Sequence, residues 1–370
     1  MKRVLLLGGT GAMGVYLVET LRELEYEVFV TSRHARVGAP GVTYLQGNAH
    51  DLGFVQTCAR TVCPSAIVDF MIYTTESFRE RVHALLSLSE HYLFLSSYRV
   101  YAETVPLRET SPRLLDVCQE ADYLRTDEYA LTKARQEDLL RQAGRHTHWT
   151  ILRPGITFSK ARFQLGTLEA NTLCWRSLHG FPVALPREML DCQTTLTWGR
   201  DVAKMIARLV LNPKAYGEAF TTASAEHHTW RDIAALYAET IGTCLREVSL
   251  EDYIRIMGGV YQIRFDRLFN RVIDNRKVLA ATGLSQTDFT PLAEALPREL
   301  VAFRGNPTYA YGVADGNARQ DRLLGGYKAF FSLHGRQRWD YLQTRWPWFG
   351  GSLVLRAGRK ALRLMCGGAR

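Results

Sequence analysis

The stretch VLLLGGTGAMG, residues 4 to 14, constrains the fold of this chain more than any other feature. An apolar run from Val4 to Leu7 stops at glycine, and Gly8, Gly11 and Gly14 recur at intervals of three as a helical pattern begins near Ala12. Glycine is needed where a strand turns directly into a helix and where the backbone must come close to a bound group. In the order strand, loop, helix, the spacing predicts a βα unit whose helix N-terminus offers free N–H groups to a pyrophosphate. Gly8, Thr10, Gly11, Ala12, Met13 and Gly14 are therefore expected to contact a dinucleotide; a plain βα turn is the competing reading.

The rest of the first half repeats the alternation. RVLLL, EVFVTS, TYLQGN, SAIVDF, YLFLSS and WTILRP read as strands, with helices from about Ala12, near 77 to 89 and near 127 to 143. Repeated βαβ units predict a parallel sheet covered on both faces. After Pro154 the regularity breaks and loops lengthen, which marks a second, smaller unit. GRDVAKMIARLVLNP and EAFTTAS restore helix-then-strand order, so that unit is expected to be interrupted by a return to the first.

The expected boundaries are 1–155 for the sheet domain with returns near 196–224, then 156–195 and 225–310 for the second region, and 311–370 for an extension. With 46% apolar and 22% charged residues, the 370-residue chain is globular by composition. No window approaches the roughly 18 unbroken apolar residues of a membrane span, and the first apolar run is too short for a signal peptide, so the expected location is the cytoplasm. Seven cysteines form no C-x-x-C pair and are expected to be reduced; no metal site is expected.

At the end of the second strand a dinucleotide site reads the adenosine ribose. An acid there favours NAD(H); VFVTSRHA instead offers Ser32 and Arg33 to a 2′-phosphate, so NADP(H) is favoured and NAD(H) remains possible. A solvated arginine is the alternative reading of Arg33. Asn48, after the third strand, is a candidate partner for the adenine edge.

TDEYALTKARQED reads as a helix with Tyr129 and Lys133 on one face. An ammonium near a phenol stabilises the phenolate and should lower its pKa, which makes tyrosine a usable general base or acid. Ser97, at the end of the preceding strand, is placed to hydrogen-bond a substrate oxygen. The sequence order (glycine loop, Ser-Ser strand end, Y-x-x-x-K, then LRP) is more specific than any one of its parts.

These residues, with SSYRVYA, YALTK, ILRPGITF, GRDVAKM, GEAFTTASAEHHTW and DNRKVLAATG, resemble the short-chain dehydrogenase/reductase superfamily in its extended or atypical branch, the NAD-dependent epimerase/dehydratase family. The resemblance spans about residues 1 to 300. It implies a Rossmann-type doubly wound α/β fold with a smaller C-terminal substrate-binding region, and Ser97, Tyr129 and Lys133 as the catalytic set. It also implies a nucleotide-linked sugar as substrate, Lys133 holding the nicotinamide ribose, and a homodimer. Where many relatives have an Ala-Gly turn after the fourth strand, this chain has DFMIYTT, so Phe70 and Met71 take the cofactor-contact positions there. Where sugar 4,6-dehydratases place an Asp-Glu pair, it has Tyr98 and Arg99.

Arg99 stays protonated and cannot act as a base; it either binds an anion beside the reacting carbon or turns outward into a salt bridge. Arg162, beside Lys160, and Arg264 and Arg267 are candidate substrate-binding cations, with Arg264, Arg267 and Arg271 expected on one helical face. Residues 319 to 370 carry eleven Lys or Arg against two Asp, and 352–365 reads as a helix with separate basic and apolar faces. That pattern fits either peripheral contact with anionic lipid or docking on protein; no motif supports nucleic-acid binding. The reading is an NAD(P)-dependent oxidoreductase or epimerase acting on a sugar carbon, with a non-catalytic dinucleotide-binding or RNA-associated protein on the same fold as its alternative.

Overall fold

A computed structural model describes residues 1–309 and 311–346. Seven strands, β1 (Arg3–Leu7), β2 (Glu27–Ser32), β3 (Val42–Gln46), β4 (Ala66–Asp69), β5 (His91–Leu95), β6 (His148–Leu152) and β7 (Glu218–Phe220), form one sheet. Their spatial order is β3-β2-β1-β4-β5-β6-β7 and every pairing is parallel. The chain starts mid-sheet, winds to β3 and returns to β4. The crevice of this switch point opens at the C-terminal ends of β1 and β4.

The alternation of side chains explains why β1 reads as unbroken apolar sequence. Val4 and Leu6 enter the core on one sheet face, with Leu17, Leu21, Val28 and Ile206. Leu5 and Leu7 enter the core on the other, with Ile67, Phe78 and Phe94. Helices α1 (Gly14–Glu23), α2 (Leu52–Val62), α3 (Thr75–Leu86), α4 (Tyr129–Ala143) and α5 (Gly199–Leu209) cover the two faces, α1 packing on α5 and α3 on α4. Asp51 caps α2 by accepting from the Gly53 and Phe54 amides.

The second region has its own core, in which Phe158, Phe163, Leu185 and Trp198 meet residues of α6 (Trp230–Ile241) and α7 (Leu292–Gly305). Beyond it, α8 (Ala314–Leu323) and the helices Lys328–Ser332 and Arg336–Arg345 build a small further core with Trp175. The basic helix read over 352–365 lies outside the described residues. Among the described residues no helix is long and apolar enough to cross a membrane.

One expectation is overturned. Arg264, Arg267 and Arg271 do not share a face, because Ile263–Arg267 winds as a π-helical turn that ends before Arg271. Arg264 is exposed, whereas Arg267 and Arg271 are buried against Asp266.

Candidate active site

The glycine loop closes one end of a cleft of about 830 Å³ that runs past Ser97, Tyr129 and Lys133. Gly8 adopts φ 73° and its amide donates to Thr31 Oγ1 at 2.9 Å. A Cβ on Gly14 would stand 2.4 Å from the Gly9 carbonyl oxygen, so helix and loop touch as backbone. At Gly11 a Cβ would meet no heavy atom within 4 Å, and Gly11 lines the cleft, so that side chain would take up space in the cradle itself. Ser159 Oγ donates to the Ala12 carbonyl at 2.9 Å and ties the loop to the second region. An open glycine cradle at the N-terminus of α1 is the geometry a pyrophosphate requires. Thr10, Ala12 and Met13 line the cleft as well.

Beyond Gly8 and Thr10 lies a second cavity of about 440 Å³, lined by Ser32, Arg33, Asn48, Phe70 and Met71. No Asp or Glu lines it, and Arg33 is exposed at its edge. The Ser32 hydroxyl is already engaged, donating to the His34 carbonyl at 2.8 Å and accepting from Arg36. The turn after β4 is held by Asp69, which accepts from the Met71 amide and from the hydroxyls of Tyr73 and Tyr92. Burial raises the pKa of Asp69, against those hydrogen bonds.

Glu128 caps α4 by accepting from the Ala130 amide, and so fixes Tyr129 at the first turn and Lys133 one turn on. Ser97 lies two residues beyond the end of β5 and caps the short turn Tyr98–Val100, its Oγ accepting from the Arg99 amide at 3.2 Å. Ser97, Tyr129 and Lys133 all line the cleft. Lys133 is buried and donates to the Leu95 carbonyl at 2.7 Å, with its Nζ 6.0 Å from the centroid of the Tyr129 ring. Burial pushes the Lys133 pKa down to about 8, opposed by Asp69 and Glu137.

The expected lowering of the Tyr129 pKa by Lys133 is not what the geometry gives. Tyr129 stands above its ordinary value because burial outweighs every opposing effect, and the leading opposing charges are Arg162 and Arg99. Sequence reading also missed a brace behind the site. Ser96 Oγ donates to Glu137, Arg153 grips both carboxylate oxygens of Glu137 at 2.8 and 2.6 Å, and Arg153 reaches Tyr101. Ser96 is thus structural, and Ser97 faces the cleft.

Three arginines also line the cleft. Arg99 lines the cleft while pairing with Glu128 and Asp266; its side chain is turned inward, and the outward-turned surface salt bridge is not formed. Arg162 lines the cleft from an exposed turn, beside Lys160. Arg267 also lines it, but its guanidinium is committed to Gly166 O, Gln164 and Asp266. Arg264 is not among the lining residues.

No family model matches the chain. Over 116 residues it is 30% identical to the oxidoreductase swnR of Arthroderma benhamiae, a match covering 30% of this chain and 36% of that protein. The matched part of the chain thus spans about a third of its curated relative.

Among solved structures, UDP-glucose 4-epimerase of Thermus thermophilus, in complex with NAD, is 21% identical, with a TM-score of 0.62 over 82% of this chain and 99% of that one. dTDP-glucose 4,6-dehydratase of Bacillus anthracis, in complex with NAD, is 13% identical, with a TM-score of 0.63 over 83% and 97%. The Bordetella bronchiseptica enzyme WbmG, in complex with NAD and UDP, is 16% identical, with a TM-score of 0.61 over 83% and 96%. The chain has the Rossmann-type fold of these NAD-dependent epimerase and dehydratase structures.

Proposed function

We propose that this chain is an NAD(P)-dependent oxidoreductase or epimerase acting on a sugar carbon, with a nucleotide-linked sugar as substrate. The observation that carries the reading is that Ser97, Tyr129 and, one helical turn on, buried Lys133 line the wall of one cleft that begins at an open glycine cradle. Pure dinucleotide binding does not require that set.

When bound, the nicotinamide supplies hydride acceptance and return. In this reading the chain manages the proton. Ser97 orients the substrate oxygen by hydrogen bonding, and Tyr129 Oη takes the hydroxyl proton as the carbonyl forms and gives it back when the carbonyl is reduced. Lys133 supplies positive charge and a donor toward the nicotinamide ribose. Arg99 and Arg162 lower the cost of the phenolate and favour a substrate with negative charge.

NADP(H) is favoured over NAD(H) by Arg33 and by the lack of an acid lining the adenosine cavity, although the compared structures named above carry NAD. Loss of that preference in Arg33→Ala, measured by fluorescence titration of both cofactors, is the expected outcome.

Tyr129→Phe, assayed with UDP-glucose and UDP-glucuronic acid as probes, should lose turnover on the order of 10²-fold or more while retaining dinucleotide affinity. Near wild-type turnover in that variant would refute the assignment. Dinucleotide retained through purification points to an epimerase; an empty site with net NADPH consumption points to a reductase.

A further inference from the structure

Part of the cleft wall is not built by the sheet domain. Thr308 and Tyr311 line it, together with Asn171 and Gln262 of the second region. Tyr311 is 68% exposed, an unusual state for a large aromatic side chain that sits at a cavity rather than on an open surface. Between these two residues Tyr309 turns the other way. It packs against both the second-region core and the small extension core, with its ring 5.7 Å from that of Phe303.

The extension that follows is anchored firmly. Arg176 and Asp321, 1% and 2% exposed, pair at 2.9 Å. Asp321 also accepts from the Tyr341 hydroxyl and the Ala329 amide. Gln320 bonds both the amide and the carbonyl of Ala184. Gly316 lies so close to Thr172 that a Cβ there would stand 1.9 Å from Thr172 Oγ1, and the neighbouring Asn171 donates to the Gly312 carbonyl at 3.0 Å. Tyr311 is thereby held at the cleft by a docked helical unit and not by a free loop. The compared structures are covered almost completely, while about a sixth of this chain lies outside each match.

We propose that the extension forms the outer wall of the substrate site and that Tyr311 stacks on the nucleobase of the substrate. The inference rests on the nucleotide-sugar reading above. A substrate whose sugar reaches Tyr129 and whose phosphates meet Arg162 and Lys160 carries its remaining group, a planar heterocycle with a hydrogen-bonding edge, toward this wall. An exposed phenol face, the Gln262 amide and the Thr308 hydroxyl match that chemistry: the ring covers a base of any kind, and the polar groups address its edge. Tyr311 is then a specificity-determining residue that acts on binding and leaves the chemical step alone.

The test uses the full chain, with UDP and UDP-glucose as probes and NADPH as control, followed by titration calorimetry and by kinetics where turnover is seen. Tyr311→Ala should weaken UDP and UDP-glucose on the order of tenfold. It should raise KM with kcat nearly unchanged and leave NADPH affinity as in the wild type. Tyr311→Phe, which keeps the ring, should restore binding, an outcome that a merely structural role for the hydroxyl would not produce. If both probes bind wild type and Tyr311→Ala alike, the assignment of Tyr311 fails while the nucleotide-sugar reading stands. If neither probe binds wild type that binds NADPH, the nucleotide-sugar reading fails and takes the stacking role with it.

Discussion

The guanidinium carbon of Arg99 lies 5.3 Å from the centroid of the Tyr129 ring, and two carboxylates from different parts of the chain, Glu128 and Asp266, hold it there. A fixed cation beside the phenol is worth more than a mobile one, since no reorganisation is needed when charge develops. Arg162 is the other leading cation acting on Tyr129, and it sits on an exposed turn. The two residues therefore predict different phenotypes.

Arg162→Gln should leave the fold intact and move the Tyr129-dependent limb of the pH–rate profile to higher pH. The sign follows from charge: removing a cation further disfavours the phenolate, whose pKa is already raised by burial. The pH dependence of kcat/KM in wild type and variant checks this, and superimposable profiles would remove Arg162 from the ionisation of Tyr129. Arg99→Met, by contrast, strips the cation shared by Glu128 and Asp266 and should cost stability on the order of 3 kcal/mol in urea unfolding.

Gly11 and Gly14 should likewise separate function from folding. Alanine at Gly11 meets open cleft, so Gly11→Ala is expected to fold normally and bind dinucleotide more weakly. Alanine at Gly14 strikes the Gly9 backbone, so Gly14→Ala is expected to unfold at lower temperature before any question of binding arises. Thermal melts beside dinucleotide titrations distinguish the two. Equal losses of stability would show that the space at Gly11 is not a ligand cradle.

Lys133 gives the protein a defined pH dependence. Its pKa is about 8 in the fold against 10.5 for the free side chain. Between those values the unfolded chain holds a proton that the folded chain has released, so the stability contributed by Lys133 rises with pH across that window and is lost as pH falls through about 8. Urea unfolding of wild type and Lys133→Met across the window should show a difference that grows by up to about 1.4 kcal/mol per pH unit. A constant difference would mean that Lys133 titrates as it does in the unfolded chain.

Much of this architecture is legible in sequence because the sheet is buried on both sides: β1, β4 and β5 are runs of residues with no polar face to hide. Tyr129 and Lys133 were readable for a similar reason, since a helix converts a spacing of four into adjacency. Helix α2 went unread although Val55, Cys58, Ala59 and Val62 follow helical spacing behind the Asp51 cap, a signal that was available. The Ser96–Glu137–Arg153 brace was not readable, because its members are brought together only by the strand order of β5 and β6 and the packing of α4. The arginines of 264–271 misled because a π-helical turn breaks the assumed period. The outer wall at Thr308 and Tyr311 carries no motif at all and exists only once the extension has docked.

That docking is itself testable through Arg176. The Arg176–Asp321 pair is buried at both ends, and such a pair is costly to break from one side because the remaining charge stays desolvated. In Arg176→Met, Asp321 keeps its donors from Tyr341 and Ala329 but loses its cation. The expected cost is about 3 to 5 kcal/mol, concentrated in the extension and not in the sheet domain, whose cores lie elsewhere. Hydrogen exchange should show loss of protection across Ala314–Leu323 and Arg336–Arg345, with β1, β4 and β5 as well protected as in the wild type. Dinucleotide affinity should hold while UDP affinity falls, since Tyr311 loses its support and the glycine cradle does not. Loss of protection spread evenly over the sheet would instead make the extension part of the global folding unit.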